Sequence, residues 1–142
     1  MKTVHQLLKE KGSRVLTTTP DSTIYSALLI MAEMEIGALV AMEGDRLAGI
    51  FSERDYARNV ILKGRSSKET PVKEVMTSAV ITISPTDTVE DCMNLMTNKH
   101  IRHLPVVSEG KLVGLLSIGD IVKETIAHQQ FLIGQLEKYI KS

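Results

Sequence analysis

The chain has 142 residues, enough for one compact domain or for two small repeats sharing a core, with little room for a separate catalytic domain. Hydrophobic residues make up 43% and charged residues 24%, too apolar a balance for a disordered chain. Seventeen basic side chains offset seventeen acidic ones, which excludes the broad positive field that gathers nucleic acid, so any phosphate binding must be local. The lone Cys92 excludes an internal disulfide, a CxxC redox pair and a cysteine-built metal site, and it fits a reducing compartment. No apolar run approaches the ~20 residues that span a bilayer, and the N-terminus lacks an apolar signal core. The expected location is the cytoplasm, away from the membrane.

In chain order, an amphipathic helix is predicted first, over Val4–Lys11. A β-prone entry at residues 15–18 stops at Pro20, which ends a strand and favours a turn. Ile24, Ala27, Leu28 and Met31 follow at spacings of three and four, the stripe of an amphipathic helix. Two short apolar runs, 38–42 and 47–51, flank Glu43-Gly44-Asp45-Arg46 and read as a hairpin, and a second helix starts at Ser52. Residues 63–71 are polar and turn-rich, a linker. The same series then recurs: an entry at 80–83, Pro85, a stripe of Val89, Cys92, Met93 and Met96, a hairpin turn at Glu109-Gly110, and a helix from Ser117. That last helix is expected to run to about Tyr139, because Ile126, Ile133, Leu136 and Ile140 prolong its apolar stripe; a stripe that outlasts its repeat suggests a partner helix.

Sliding the chain by 65 lays residues 15–61 on 80–126 without a gap, with twelve of 47 pairs identical. Proline, glycine, serine and aspartate recur in place at Pro20/Pro85, Gly49/Gly114, Ser52/Ser117 and Asp55/Asp120. The fold class is therefore α/β in the mixed, α+β sense: two pseudo-symmetric β-α-β-β-α repeats with flanking terminal helices. Neither copy alone buries both faces of a three-stranded sheet, so the two are expected to pack as one body. The expected spans are 1–65, with the N-terminal helix, and 66–142, with the extended C-terminal helix.

The repeated polar signature is Gly49-Ile-Phe-Ser52-Glu-Arg-Asp55 and Gly114-Leu-Leu-Ser117-Ile-Gly-Asp120. Ser-x-x-Asp before an apolar run resembles a capping box, in which serine accepts from the N3 amide and the acid reaches back to the N-cap amide. The same groups suit a ligand. Amides at a helix N-terminus attract phosphate, while a carboxylate accepts from both hydroxyls of a ribose. Thr17 and Thr82, each ending a neighbouring strand in its own copy, favour the second reading, since a cap needs no matched threonine elsewhere.

The motifs Thr82-Ile-Ser-Pro85, Ile101-Arg-His-Leu-Pro-Val-Val107 and Gly114-Leu-Leu-Ser-Ile-Gly-Asp120, with Val75-Met76-Thr77 before them, resemble the cystathionine-β-synthase (CBS) domains, which occur in tandem pairs called Bateman modules. The resemblance covers nearly the whole chain. It implies a pair that binds adenine nucleotides (AMP, ADP or ATP, sometimes NAD or S-adenosylmethionine) in clefts between the repeats. By the same resemblance, Asp55 and Asp120 hold ribose hydroxyls, and Thr17, Thr82, Ser52 and Ser117 contact the nucleoside or its first phosphate. Backbone near Ala38 and His103 meets the adenine, while Arg54, Arg102 and His103 stand where such modules place phosphate-binding side chains. The copies differ: Arg54 faces Gly119 in the alignment, Gly37 and Ala38 face Arg102 and His103, and Val40 stands in place of the family's usual proline. The two sites are expected to differ in ligand or affinity.

His100-x-x-His103 lacks the cysteine or acid partners of zinc patterns, and no metal is expected. Cys92 reads as a small buried residue with no base to activate it. Arg58, Lys63, Arg65 and Lys68 suit either a solvated helix end or a reach toward outer phosphates. GxSxG, P-loop, HExxH and Rossmann fingerprints are missing, so no catalytic residue is named and an enzyme is not expected. Two functions compete: a regulatory adenine-nucleotide sensor acting on a separate protein partner or a dimer mate, and a ligand-free homodimeric scaffold whose Ser-x-x-Asp units are only caps. A nucleotide-processing enzyme ranks last.

Overall fold

Residues 2–141 are described in the computed structural model; Met1 and Ser142, the outer limits of the expected spans, lie outside the described residues. The element order is α1 (Val4–Lys11), β1 (Thr17–Thr18), α2 (Ile24–Met34), β2 (Ala38–Glu43), β3 (Arg46–Ser52), α3 (Glu53–Tyr56), α4 (Val89–Lys99), β4 (His103–Ser108), β5 (Lys111–Ser117) and α5 (Ile118–Lys141). The mixed helix and strand composition is the one read from the sequence. Two details differ. The entry strands are reduced to Thr17–Thr18 and, in the second repeat, to a single parallel bridge between Ile83 and Val106. The second helix of the first repeat leaves α geometry after Tyr56 and widens into a π-helical turn over Ala57–Ile61.

Capping fixes where the helices start. Thr23 accepts from the Ser26 amide at the head of α2, and Thr88 forms a full capping box with Asp91 at the head of α4. Both helices end on a left-handed residue at the same repeat position, Glu35 and His100, each at φ 54°. In the first repeat β1 pairs parallel to β2, and β2 pairs antiparallel to β3 with Ala38 opposite Ser52. β4 and β5 form the corresponding hairpin.

The chain divides into two compact units, one of Arg14–Ile81 with Glu109–Leu112, the other of the segment ending at Ser13, Thr82–Ser108 and the chain from Val113. Their limits differ at the ends from the sequence spans 1–65 and 66–142. Helix α1 goes with the second repeat, and residues 66–81 go with the first.

Each unit closes in the same way. In the first, Val72 donates its amide to Ser22 O and Lys73 to Pro20 O; in the second, Val4 donates to Asp87 O and His5 to Pro85 O. The first helical amide of α2, Ile24 N–H, finds Thr70 O, and that of α4, Val89 N–H, finds Lys2 O. These donors would otherwise have no partner at a helix start. Residues 2–8 and 70–76 are thus the same structural segment used twice, and the polar linker is an ordered part of the first unit. The apolar faces agree. Val72 and Val75 join Ile24, Ala27, Met31, Leu39, Phe51 and Val60 in the first core, while Val4, Leu7 and Leu8 are buried in the second unit with Val89, Cys92, Met96, Leu104, Leu116 and Ile121.

Gly49 and Gly114 recur because those segments pass over them. A methyl group on Gly49 would lie 2.5 Å from the Met76 sulfur and 2.9 Å from Thr77 O; one on Gly114 would lie 2.6 Å from a Leu8 methyl. Helix α1 is held further by Lys2, whose ammonium reaches Glu10 at 2.6 Å and the buried Glu124 at 3.2 Å. Helix α5 carries Val122, Ile126, Ile133, Leu136 and Ile140 half-exposed or more. Among the described residues, no helix is long and apolar enough to cross a membrane.

Candidate functional site

The two Ser-x-x-Asp units adopt one geometry. Ser52 Oγ accepts from Asp55 N–H at 3.2 Å, and Asp55 Oδ2 accepts from Ser52 N–H at 2.9 Å and from Ser52 Oγ at 3.0 Å. The matching distances for Ser117 and Asp120 are 3.3, 2.8 and 3.0 Å. Both are therefore genuine caps, which fixes each carboxylate over its helix mouth and puts the cap bonds on Oδ2.

The hairpins bring the other candidates to these mouths. Glu53 N–H donates to Gly37 O, and Ile118 N–H donates to Arg102 O at 2.8 Å. The residues that follow, Ala38 and His103, therefore begin their strands beside Ser52 and Ser117, as the register of Ala38 opposite Ser52 confirms for the first repeat. Thr17 is exposed on β1, paired with Val40 of β2, two residues along that strand from Ala38, and Thr82 is exposed just before the bridging Ile83. Arg54 lies exposed in the first turn of α3, and Arg102 lies exposed at the foot of β4. The basic residues after the first motif are partly engaged elsewhere: Arg65 pairs with Glu74 at 2.7 Å, and the Lys68 ammonium stands 5.0 Å from the centre of the Tyr25 ring.

One participant escapes the sequence reading. Lys11, in the last turn of α1, donates to Asp120 Oδ2 at 2.5 Å and to Leu115 O at 2.6 Å. Lysine at a helix C-terminus reads as a dipole-favoured surface charge, and the repeat alignment begins after it, so no local pattern marks it. Its effect is electrostatic. Burial alone would raise the Asp120 carboxyl, but hydrogen bonds from Lys11 and from Ser117 outweigh burial and hold it below its ordinary value. Burial first, then the Lys11 charge and more weakly Arg102, push the His103 imidazole below its ordinary value against the pull of Asp120. His103 is thus neutral near pH 7. Cys92 is fully buried, and burial, helped by Asp87 and Asp91, pushes its thiol up to about 11, which fits packing rather than nucleophilic chemistry.

The family model for the CBS domain matches residues 11–61 and 72–126. The mitochondrial CBS domain-containing protein CBSX3 of Arabidopsis thaliana is 38% identical over 148 residues, covering 98% of this chain and 72% of that protein. The solved structure of a protein with CBS domains from Burkholderia ambifaria MC40-6 is 50% identical with a TM-score of 0.86, covering 90% of this chain and 96% of that one. A CBS domain protein from Pyrobaculum aerophilum, solved in complex with AMP, is 28% identical with a TM-score of 0.75, covering 84% of this chain and 89% of that one. With two matched repeats, the same fold and relatives spanning nearly its full length, the chain belongs to the CBS domain family.

Proposed function

We propose that the chain is a regulatory sensor of adenine nucleotides, with no reaction of its own, and that Asp55 and Asp120 receive the ribose hydroxyls. The observation that carries this reading is the pair of fixed carboxylates, each held by its serine through Oδ2 over a helix mouth. AMP bound to the Pyrobaculum relative supports the ligand class. AMP, ADP, ATP and NAD all present the required ribose. Thr17, Ala38, Ser52 and Arg54 complete the first site, and Thr82, Arg102, His103 and Ser117 complete the second. Binding acts on the balance of arrangements available to the protein, and so on a separate protein partner in the cytoplasm.

The test is a melting-temperature titration with AMP, ATP, NAD and S-adenosylmethionine, since a ligand that binds the native state alone must stabilise it. A rise with one adenine nucleotide, reduced in Asp55→Asn or Asp120→Asn, is the expected result. A protein that melts at one temperature with all four overturns the reading, and the Ser-x-x-Asp units then serve as caps worth about 1 kcal/mol each. The exposed apolar face of α5 favours a homodimer as the assembled form, and size-exclusion chromatography with light scattering measures that directly.

A further inference from the structure

The sheet edge that the Lys11 ammonium closes in the second repeat is closed by backbone in the first. There the edge carbonyl of β3, Ile50 O, accepts from the backbone amide of Thr77 at 2.9 Å. The corresponding carbonyl of β5, Leu115 O, is met instead by a charged side chain that also takes hold of Asp120. An uncharged group suffices to close the edge, so the charge is available for something more. It sits in a half-buried position, with side-chain exposures of 35% for Lys11 and 23% for Asp120, where charges are screened less than on an open surface. The Lys11 and Arg102 charges both bear on the neighbouring His103 imidazole.

A neutral ligand fits this arrangement badly. A ribose that takes Asp120 competes with the ammonium for the carboxylate and returns no negative charge to it. A ligand that also carries a phosphate compensates the cation it disturbs. Lysine is suited to the exchange, because its three donors turn on a flexible stem, and one can stay on Leu115 O while another turns to a new acceptor.

Resting on the proposed reading of the second site, we infer that Lys11 is a charge-selecting binding residue: it yields Asp120 to the ribose diol and transfers to the phosphate of a nucleoside 5′-phosphate. The second repeat therefore discriminates nucleotide from nucleoside, and does so with a residue from outside its own β-α-β-β-α unit.

The experiment is calorimetric titration of the full chain with AMP and with adenosine in an Asp55→Asn background, comparing Lys11, Lys11→Arg and Lys11→Gln. The readout is the ratio of the two affinities, because a structural loss lowers both. The ratio is expected to favour AMP, to survive in Lys11→Arg and to fall about tenfold in Lys11→Gln, the scale of one charge-assisted hydrogen bond. An unchanged ratio in Lys11→Gln overturns the inference and leaves the site reading standing. Failure of the Asp55→Asn protein to bind either compound overturns both. Should Lys11→Gln not fold, the unmutated Lys11 protein still decides: raising the salt concentration must weaken AMP more than adenosine, and an equal effect on both overturns the inference.

Discussion

The two repeats close the same sheet edge by different means, and the difference lies next to the candidate ligand carboxylates. In the first repeat the segment after Val72 leaves its helical turn early enough for Thr77 to exchange two backbone hydrogen bonds with Ile50, at 2.9 and 3.0 Å. In the second, α1 continues for another turn, so its backbone donors stay inside the helix and the Lys11 side chain does the work. A backbone bridge is local and neutral. An ammonium on a long stem brings charge with it and reaches Asp120. Two copies that align without a gap thus close the same edge with different chemistry, through a segment that the alignment does not include.

The contrast can be broken most strongly at the glycines. Gly49→Ala is expected to cost about 3 kcal/mol and Gly114→Ala about 1 kcal/mol, because Thr77 O is backbone and cannot turn aside whereas the Leu8 methyls can. Urea denaturation measures both, and equal losses would mean that the two edges yield alike. A smaller effect separates the repeats by pH. His103 binds a proton less readily folded than unfolded, so its contribution is complete above about 6.5, the ordinary histidine value, and is lost as pH falls below it. Asp120, also depressed, adds a second loss further down, as pH falls through the carboxylate range. Urea midpoints between pH 7.5 and 5 should therefore decline in the native sequence and decline less in His103→Gln. The residue aligned with His103 is Ala38, which does not titrate. The smallest effect concerns what the repeats share. Glu35→Gly should stabilise by about 0.5 kcal/mol, since glycine accepts the left-handed φ of 54° at lower cost, partly offset by its greater freedom when unfolded. A loss of melting temperature would indicate that the Glu35 side chain contributes where the backbone alone is expected to matter.

Much of this was legible from periodicity and repetition. The spacings of Ile24, Ala27 and Met31 and of Val89, Cys92 and Met96 mark residues that are indeed buried, and the hairpins fall at Gly44 and Gly110 as their turn chemistry requires. Ser52 with Asp55 and Ser117 with Asp120 are close in sequence, so their hydrogen bonds could be anticipated. What stayed hidden depends on distant pairing. The entry strands are short because Thr17 and Thr18 find partners in β2 while their neighbours do not, which propensity cannot foresee. Residues 63–71 carry the composition of a loose linker, yet Ser67 O and Thr70 O receive the first amides of α2. Lys11 and Asp120 are far apart in the chain, and nothing in either local sequence names the other.

The reciprocal use of residues 2–8 and 70–76 also has a consequence for biosynthesis. The first unit receives its closing segment, residues 70–76, soon after its own hairpin leaves the ribosome. Helix α1 is made before the rest of its unit, whereas Leu8 packs on Gly114 and Lys11 reaches Asp120, 109 residues later in the chain. Until then the buried face of α1, Val4, Leu7 and Leu8, has nothing to cover it. Such late, long-range closure is slow and leaves apolar surface exposed meanwhile. The second unit is therefore closed on α1 only once synthesis has passed β5 and the first turn of α5, long after α1 itself has been made.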